Sequence, residues 1–188
     1  MGVRFLLILA LLLPALGSAA TMRSVTVDRV DGVYILRSEV WFDVSIDKIY
    51  GLFLDWDQST KFSSVVVESR NVEPDESGRP RFYSRNRVCI WFYCRSFERH
   101  GFVTFDPLKY IEATVDPEKS DFHVSDERWE FREEDDGTVV VYDLAMQPKF
   151  FIPPLIGPAI MKRKLKSGST DALDRIEAVA QEWTPDAE

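Results

Sequence analysis

The fold is decided by the C-terminal stretch at residues 156–183, which reads IGPAIMKRKLKSGSTDALDRIEAVAQEW. Its apolar side chains recur at the spacing of one face of an α-helix, at Ile156, Ile160, Met161, Leu165, Leu173, Ile176, Ala180 and Trp183. This periodicity predicts a single long helix. Most of the chain before it alternates like β-strands, and strands followed by a long helix are typical of an α+β domain. We therefore expect a curved antiparallel sheet wrapped around the C-terminal helix.

The residues upstream predict a hairpin, short helices and a run of strands. Residues 25–30 and 33–42 are rich in β-branched and aromatic residues, and Asp31-Gly32 between them is a strong turn signal. After this first core strand, Ser45 stands where it could cap a short helix, which the helical spacing of apolar residues predicts up to Leu54. Period-two alternation then predicts further strands at residues 65–72, 110–115, 127–132 and 138–147.

Two cysteines mark a turn inside an otherwise continuous strand-like segment. Residues 81–105 read as strand throughout, whereas globular strands usually contain about 3 to 10 residues. In a straight strand Cys89 and Cys94 would lie roughly 16 Å apart, beyond the ~7 Å limit for a disulfide. A hairpin through residues 90–93 would bring them together, although these bulky residues are poor turn formers. We predict a disulfide, with a pair of free thiols as the alternative.

The N-terminus has the features of a secretory signal peptide. Arg4 precedes an apolar run from Phe5 to Leu13, and small residues follow from Gly17 to Ala20. The run is shorter than the ~20 residues needed to cross a bilayer, so an uncleaved anchor is the less favoured alternative. We expect a signal peptide at residues 1–20, an extra N-terminal strand at 21–33 and one binding domain at 34–183. The mature protein is then predicted to be exported to a bacterial periplasm.

Composition and motifs argue against several classes of function. The chain has 23 basic and 31 acidic residues, and its net charge of −8 is unfavourable for binding nucleic acid. Only His100 and His123 could serve a catalytic triad, and the Gly-x-Ser-x-Gly motif is absent. We therefore predict that the protein is not an enzyme and uses no cofactor.

Several acidic residues are candidates for a metal site or for acid/base catalysis. Asp121, His123, Asp126 and Glu127 cluster at an expected loop-to-strand boundary, where solvated surface is a more common explanation than a metal site. Glu112 and Glu130 alternate with apolar neighbours and are predicted to point outward, and Asp143 would matter only if it were buried. No metal site is predicted.

Three stretches resemble a known superfamily, namely residues 42–62, 122–131 and 144–158. In order and content they are similar to the helix-grip fold of START-like proteins, the polyketide cyclase and lipid transport superfamily (SRPBCC). The resemblance is closest to its coenzyme Q-binding START-like branch. It implies a cavity between the sheet and the C-terminal helix that holds a lipid or another apolar small molecule.

Strand alternation and helix phase predict which residues face the interior. The candidate ligand-binding residues are Phe82, Val88, Trp129, Phe131, Leu144, Met146, Ile156, Ile160, Met161 and Leu165. The same residues would also suit an ordinary close-packed core. The leading hypothesis is therefore an exported module that binds a lipid or another apolar small molecule, with transfer of lipid between membranes as an extension of that function. The alternatives are a polyketide cyclase or dehydratase and an interaction protein with a filled core.

An apolar loop followed by basic residues predicts a peripheral membrane contact. Consecutive apolar residues with two prolines at 150–156 cannot all face inward from regular structure, and cations follow at once. The candidate contact residues are Phe150, Phe151, Ile152, Lys162, Arg163 and Lys164. The alternative is a loop that caps the core beside a solvated basic helix face.

Overall fold

The computed structural model describes residues 20–90, 93–150, 152 and 157–184. Within them, one antiparallel sheet contains β1 (Thr21–Val30), β2 (Val33–Phe42), β3 (Val66–Val72), β4 (Arg81–Ile90), β5 (Tyr93–Asp106), β6 (Tyr110–Val115), β7 (Phe122–Glu134) and β8 (Gly137–Pro148). The strand order is β1-β2-β8-β7-β6-β5-β4-β3. Helix α1 (Ile46–Leu54), a 3-10 turn (Trp56–Gln58) and α2 (Ser59–Phe62) lie between β2 and β3, and α3 (Gly157–Glu182) follows the last strand. The predicted α+β helix-grip architecture is confirmed.

Tight turns fix the hairpins at both ends of the chain. Asp31 and Gly32 take φ values of 49° and 87° between β1 and β2, and Asp135 takes 54° between β7 and β8. Glycine adopts positive φ at little steric cost, so the predicted Asp-Gly turn forms where expected. β2 then pairs with β8, from Tyr34 opposite Met146 to Phe42 opposite Thr138. The first core strand and the last strand are therefore neighbours in the sheet.

Helix α3 packs against β1, β2 and the two short helices. Leu173, Ile176 and Ala180 in its C-terminal half are buried in the core. Just after its end, the ring of Trp183 lies over Gly51 of α1, where a Cβ atom would come within 2.2 Å of Cη2 of the indole. Glycine at position 51 therefore allows the close approach that anchors this end of α3.

The β4–β5 hairpin contains the predicted disulfide. Ile90 pairs with Tyr93 and Cys89 pairs directly with Cys94, so the chain reverses between them. The Cys89–Cys94 bond is formed with a Cα–Cα distance of 4.0 Å. The disulfide prediction is confirmed, and the bond ties the two strands together at the end of the hairpin.

Two local predictions are wrong. Ser45 stands at the N-cap position of α1, but its side chain makes no capping hydrogen bond. Strand β7 begins at Phe122 rather than at residue 127, because residues 124–127 already pair with β8. The stretch expected to be a polar loop boundary is therefore part of the sheet, and alternation along β7 decides which of its side chains face inward.

Some predictions fall on residues that the structure does not describe. These are residues 1–19 of the predicted signal peptide, together with Phe151 and Ile156. Within the described ranges, no helix is long and apolar enough to cross a membrane.

Glu177 is a buried carboxyl group between α3 and the start of β1. Burial raises its pKa, and the nearby carboxylates of Asp43 and Asp174 raise it further, against a hydrogen bond from the backbone N–H of Ala20. A raised pKa means that the folded state binds this proton more tightly than the unfolded chain does. The contribution of Glu177 to stability is therefore largest in acid and is lost as pH rises from the unfolded pKa through the folded one.

Replacing Glu177 with Gln should raise stability at pH 7, because the amide keeps the shape without the buried charge. We expect a midpoint of thermal unfolding about 2 to 4 °C higher, which is about 1 kcal/mol for a chain of this size. The gain should disappear below about pH 4, close to the ordinary glutamate pKa. Glu182→Gln, at an exposed position of the same helix, is the control. Parallel stability curves for wild type and Glu177→Gln between pH 4 and 7 would contradict the assignment.

Candidate ligand cavity

A cavity of about 790 Å³ lies between the inner face of the sheet and α3. This volume falls within the ~300–1,000 Å³ that is usual for small-molecule sites. The apolar part of its wall includes Leu36, Val40, Phe42, Phe53, Phe62, Val88, Phe97, Phe122, Trp129, Leu144, Met146, Ile160, Met161, Leu165, Leu173 and Ile176. The space is open because the side chains of sheet and helix do not meet across it. A completely filled core is therefore wrong for this interface.

The inner face is hollow because its middle carries short side chains. Ser38 on β2, Ser84 on β4 and Ser125 on β7 line the cavity and are 3%, 1% and 1% exposed. Packed layers of a protein lie about 10 Å apart, and a serine side chain spans only a small part of that distance. Leucine or phenylalanine at these positions would fill the gap.

Aromatic clusters close the cavity on two sides. On the side of the short helices, Trp56 stacks on Phe82 with ring centroids 3.9 Å apart, and Phe53 lies 5.8 Å from Trp129. Toward the end of the β4–β5 hairpin, Phe97 packs against both Phe122 and Phe150 at 5.2 and 5.8 Å. Large rings at both ends and small side chains between them define an elongated apolar chamber.

An ion pair lies on the inner face of the sheet. Arg99 of β5 contacts the carboxylate of Glu127 of β7, and their side chains are only 8% and 10% exposed. Tyr142 lies close enough to this pair for both charges to act on its hydroxyl, and its ring stacks on Trp129 at 5.3 Å. Burial raises the pKa of Tyr142 well above its ordinary value, and the charge of Glu127 raises it further. Tyr142 therefore remains a neutral hydroxyl at physiological pH.

Several polar atoms around this pair have no hydrogen-bond partner among the described residues. They include Nε of Arg99, Oδ1 of Asn86, Oγ of Ser84 and Oγ of Ser69, and all four residues line the cavity. Buried polar groups in proteins normally have partners. These donors and acceptors can bind the polar part of a ligand or ordered water.

Most of the sequence-predicted ligand residues lie on the cavity wall. These are Val88, Trp129, Leu144, Met146, Ile160, Met161 and Leu165. Phe82 and Phe131 are not on that wall, since Phe82 stacks on Trp56 and the Phe131 ring packs edge-on against Tyr50 and Phe53. Both rings lie in the core behind the wall. Ligand contact by the other residues stays a prediction.

The polar residues of the cavity were missed, although strand alternation could have found them. Positions 125, 127, 129 and 131 of β7 share one face, so the inward assignment of Trp129 and Phe131 also implies Glu127 and Ser125. Glu127 was instead grouped with solvated surface residues because it stands at the first position of the predicted strand, next to an expected polar loop. His123 and Asp126 are exposed, so this acidic group does not converge. Within the described residues, no three potential metal ligands form a group.

The candidate acid/base residues lie on the outside of the sheet. Glu112 and Glu130 both pair with Arg128, and Asp143 lies 3.4 Å from Arg37. The predicted outward direction of Glu112 and Glu130 is therefore correct. The ionisable groups that line the cavity are a different set: Arg99, Glu127 and Tyr142, together with the exposed cations Arg87, Arg95 and Lys164.

The predicted membrane-contact residues divide between the cavity and the surface. Phe150 and Ile152 line the cavity, and the Phe150 ring packs against Phe97 and Phe122. Lys162 lies 3.8 Å from Asp28 of β1, whereas Arg163 and Lys164 are exposed. Membrane contact itself stays a prediction.

A sheet that grips a long helix across an apolar cavity defines a START-like ligand-binding fold. The chain belongs to the family described as polyketide cyclase / dehydrase and lipid transport, which it matches over residues 35–181. A comparison with functionally curated proteins found no match. The predicted superfamily is confirmed, whereas nothing in these comparisons points to the coenzyme Q-binding branch.

Solved structures of both lipid-transfer proteins and cyclases share the fold. A STAR-related lipid transfer protein from Xanthomonas axonopodis superimposes with a TM-score of 0.65 at 14% identity, covering 87% of this chain and 99% of that one. Human STARD10 gives 0.61 at 14% identity, with coverage of 85% and 74%. The di-domain ARO/CYC StfQ of the steffimycin biosynthetic pathway gives 0.60 at 15% identity, with coverage of 81% and 52%. At these identities the likeness establishes the fold alone.

Replacing Glu127 with Leu should destabilise the protein, because the guanidinium of Arg99 loses its carboxylate in a buried position. We expect the free energy of unfolding in urea to fall by about 3 kcal/mol. The double variant Arg99→Leu/Glu127→Leu should lose less, because apolar replacement of a whole buried pair is often neutral. Glu112→Leu, which removes a carboxylate from an ion pair on the outer surface, should cost under about 1 kcal/mol. Equal losses for Glu127→Leu and Glu112→Leu would show that the inner pair is not effectively buried.

Proposed function

We propose that the protein is an exported carrier that binds a lipid-like molecule in the cavity between the sheet and α3. The observation that carries this proposal is the 790 Å³ apolar chamber with a localised polar group on its wall. Export is supported by the signal-like residues at the N-terminus and by the Cys89–Cys94 disulfide, since disulfides persist mainly in oxidising compartments.

Binding would be driven by transfer of an apolar chain from water into the chamber. Each buried methylene contributes ~0.8 kcal/mol, so a chain of ten carbons could contribute several kcal/mol after the costs of association. A purely hydrocarbon ligand would leave Asn86 and Arg99 unsatisfied. The unpartnered polar atoms therefore favour an amphiphile over a pure hydrocarbon.

The test is to identify what the protein carries when it is purified from cells without detergent. Solvent extraction and mass spectrometry should recover an apolar or amphiphilic compound from the wild type. Ser84→Leu should lower the recovered amount severalfold by filling the chamber, without loss of stability, because Oγ of Ser84 has no partner to lose. Ser96→Leu, at an exposed position of β5, is the matched control. Recovery of nothing apolar from the wild type would count against the proposal.

A carrier that exchanges lipid must approach a membrane, and we propose that it does so near Phe150 and Ile152. Both residues line the cavity, as does the exposed cation Lys164, and the exposed Arg163 precedes it on α3. Ile152→Asp should reduce flotation with phosphatidylglycerol vesicles, because a carboxylate opposes burial among anionic headgroups. Ile35→Asp, at an exposed apolar position on β2, should float like the wild type. Undiminished flotation of Ile152→Asp would remove this part of the proposal.

A second candidate function is a cyclase-type enzyme that acts on a bound polyketide-like molecule. The observation in its favour is the convergence of Arg99, Glu127 and Tyr142 inside the chamber, where they could exchange or donate protons. If the extracted compound were chemically converted by the wild type and not by Glu127→Gln, this reading would replace that of a carrier.

A further inference from the structure

Two cations stand on apolar faces that line the cavity. On α3, Lys164 follows Ile160 and Met161 on the side that faces the sheet, and all three residues line the chamber with Leu165. On β5, Arg95 shares the inner face with Phe97 and Arg99 by period-two alternation, and all three line the chamber. The sheet therefore contributes Arg95, Arg99 and the exposed Arg87 to the cavity wall, and the helix contributes Lys164.

Both side chains lie where the cavity meets solvent. Arg95 and Lys164 are exposed, although both line the chamber. The guanidinium carbon of Arg95 lies 4.6 Å from the centre of the Phe150 ring, which fixes its position beside the aromatic cluster. We call the exposed parts of the wall at Arg95 and Lys164 the entrance, and Phe150, which contacts Arg95, packs against Phe97 and Phe122.

Neither cation forms an ion pair with any described residue. This contrasts with nearby basic residues, since Arg85 pairs with Glu68, Lys162 with Asp28 and Arg99 with Glu127. The chain has 31 acidic and 23 basic residues, so carboxylates are not scarce. Two exposed cations on the wall of one apolar cavity, neither paired with a carboxylate among the described side chains, are suited to an anion that comes with the ligand.

The Arg99–Glu127 pair makes the interior of the chamber less favourable for an anion than the entrance. Arg99 lies four residues beyond Arg95 on β5, about 13 Å along an extended strand. Its charge is compensated by Glu127, so the interior offers hydrogen bonds but no net positive charge. An acid group at the entrance would gain two cations and keep part of its hydration, whereas the same group inside would meet a carboxylate.

We infer that the ligand is an anionic amphiphile whose acid group binds between Arg95 and Lys164 while its chain extends into the chamber toward Trp129. A second polar group on the chain, or ordered water, would bind the unpartnered atoms of Asn86 and Arg99. The inference rests on the proposed binding function and specifies the ligand class and its orientation. The acid group would be the carboxylate of a fatty acid or the phosphate of a lipid, since both are anions that arginine and lysine bind.

The test compares cis-parinaric acid with its methyl ester, which have the same fluorescent chain and differ in charge. The wild type should bind the acid about tenfold more tightly than the ester. Arg95→Gln/Lys164→Gln should lower the affinity for the acid to that for the ester and leave the ester unchanged. Arg37→Gln/Arg132→Gln removes the same charge from exposed outer positions and should keep the preference.

The outcomes separate this inference from the carrier function. Equal binding of acid and ester by the wild type, or an unchanged preference in Arg95→Gln/Lys164→Gln, would overturn the inference and leave the carrier function standing. Failure of the wild type to bind either probe would overturn both. If the double variant lost only its binding to phosphatidylglycerol vesicles, the cations would serve a membrane surface and the inference would be wrong.

Competition distinguishes the two sources of the acid group. Displacement of parinaric acid by oleic acid would identify a carboxylate ligand, and displacement by oleoyl lysophosphatidic acid would identify a phosphate ligand. Either result supports the inference. Displacement by oleyl alcohol as effectively as by these acids would contradict it.

Discussion

The central constraint on this protein is the row of short polar side chains across the middle of the inner face of its sheet. Ser38, Ser84 and Ser125 stand where leucine or phenylalanine would meet α3, and the gap that they leave becomes the chamber. The fold survives because Leu173, Ile176 and Ala180 bury the C-terminal half of α3 in the core and Trp183 packs over Gly51, while aromatic clusters close the gap on both sides. Packing is concentrated at the ends, so the middle is available for a ligand.

The Arg99–Glu127 pair determines what kind of ligand this gap favours. A buried ion pair is weak evidence for stability, because well-packed apolar residues of similar size often do as well or better. Its position beside unpartnered atoms of Asn86 and Ser84 makes functional sense if a bound molecule has a polar group to offer. The stacked Tyr142 and Trp129 hold one side of the pair, with Tyr142 kept neutral by burial. Most of the chamber wall is thus apolar, but it also carries an ion pair and polar atoms that can bind a polar group of a ligand.

The sequence alone predicted the architecture because its turn signals, strand alternation and helical spacing all indicate the same order of elements. The Asp31-Gly32 turn, the period-two strands and the helical phase of α3 all gave elements close to the observed ones. The site was less predictable. Starting β7 at residue 127 hid Ser125, and Glu127 was assigned to a solvated acidic cluster although alternation with Trp129 and Phe131 points it inward. Phe82 and Phe131 could not be separated from the wall residues, because sheet curvature and ring stacking decide which inward side chains reach the cavity. The volume of a cavity depends on those distances, which no spacing rule contains.

The disulfide connects the proposed location of the protein to its proposed chemistry. Cys94 immediately precedes Arg95, and adjacent residues of a strand point to opposite faces, so tying Cys94 to Cys89 on one face favours Arg95 on the other. The end of a long hairpin would otherwise fray easily, since it has few neighbours. In an oxidising compartment the bond holds the first residues of β5 in register, and with them one of the two cations at the entrance. Orientation of an anionic ligand would then depend on a covalent bond that is stable only outside the cytoplasm.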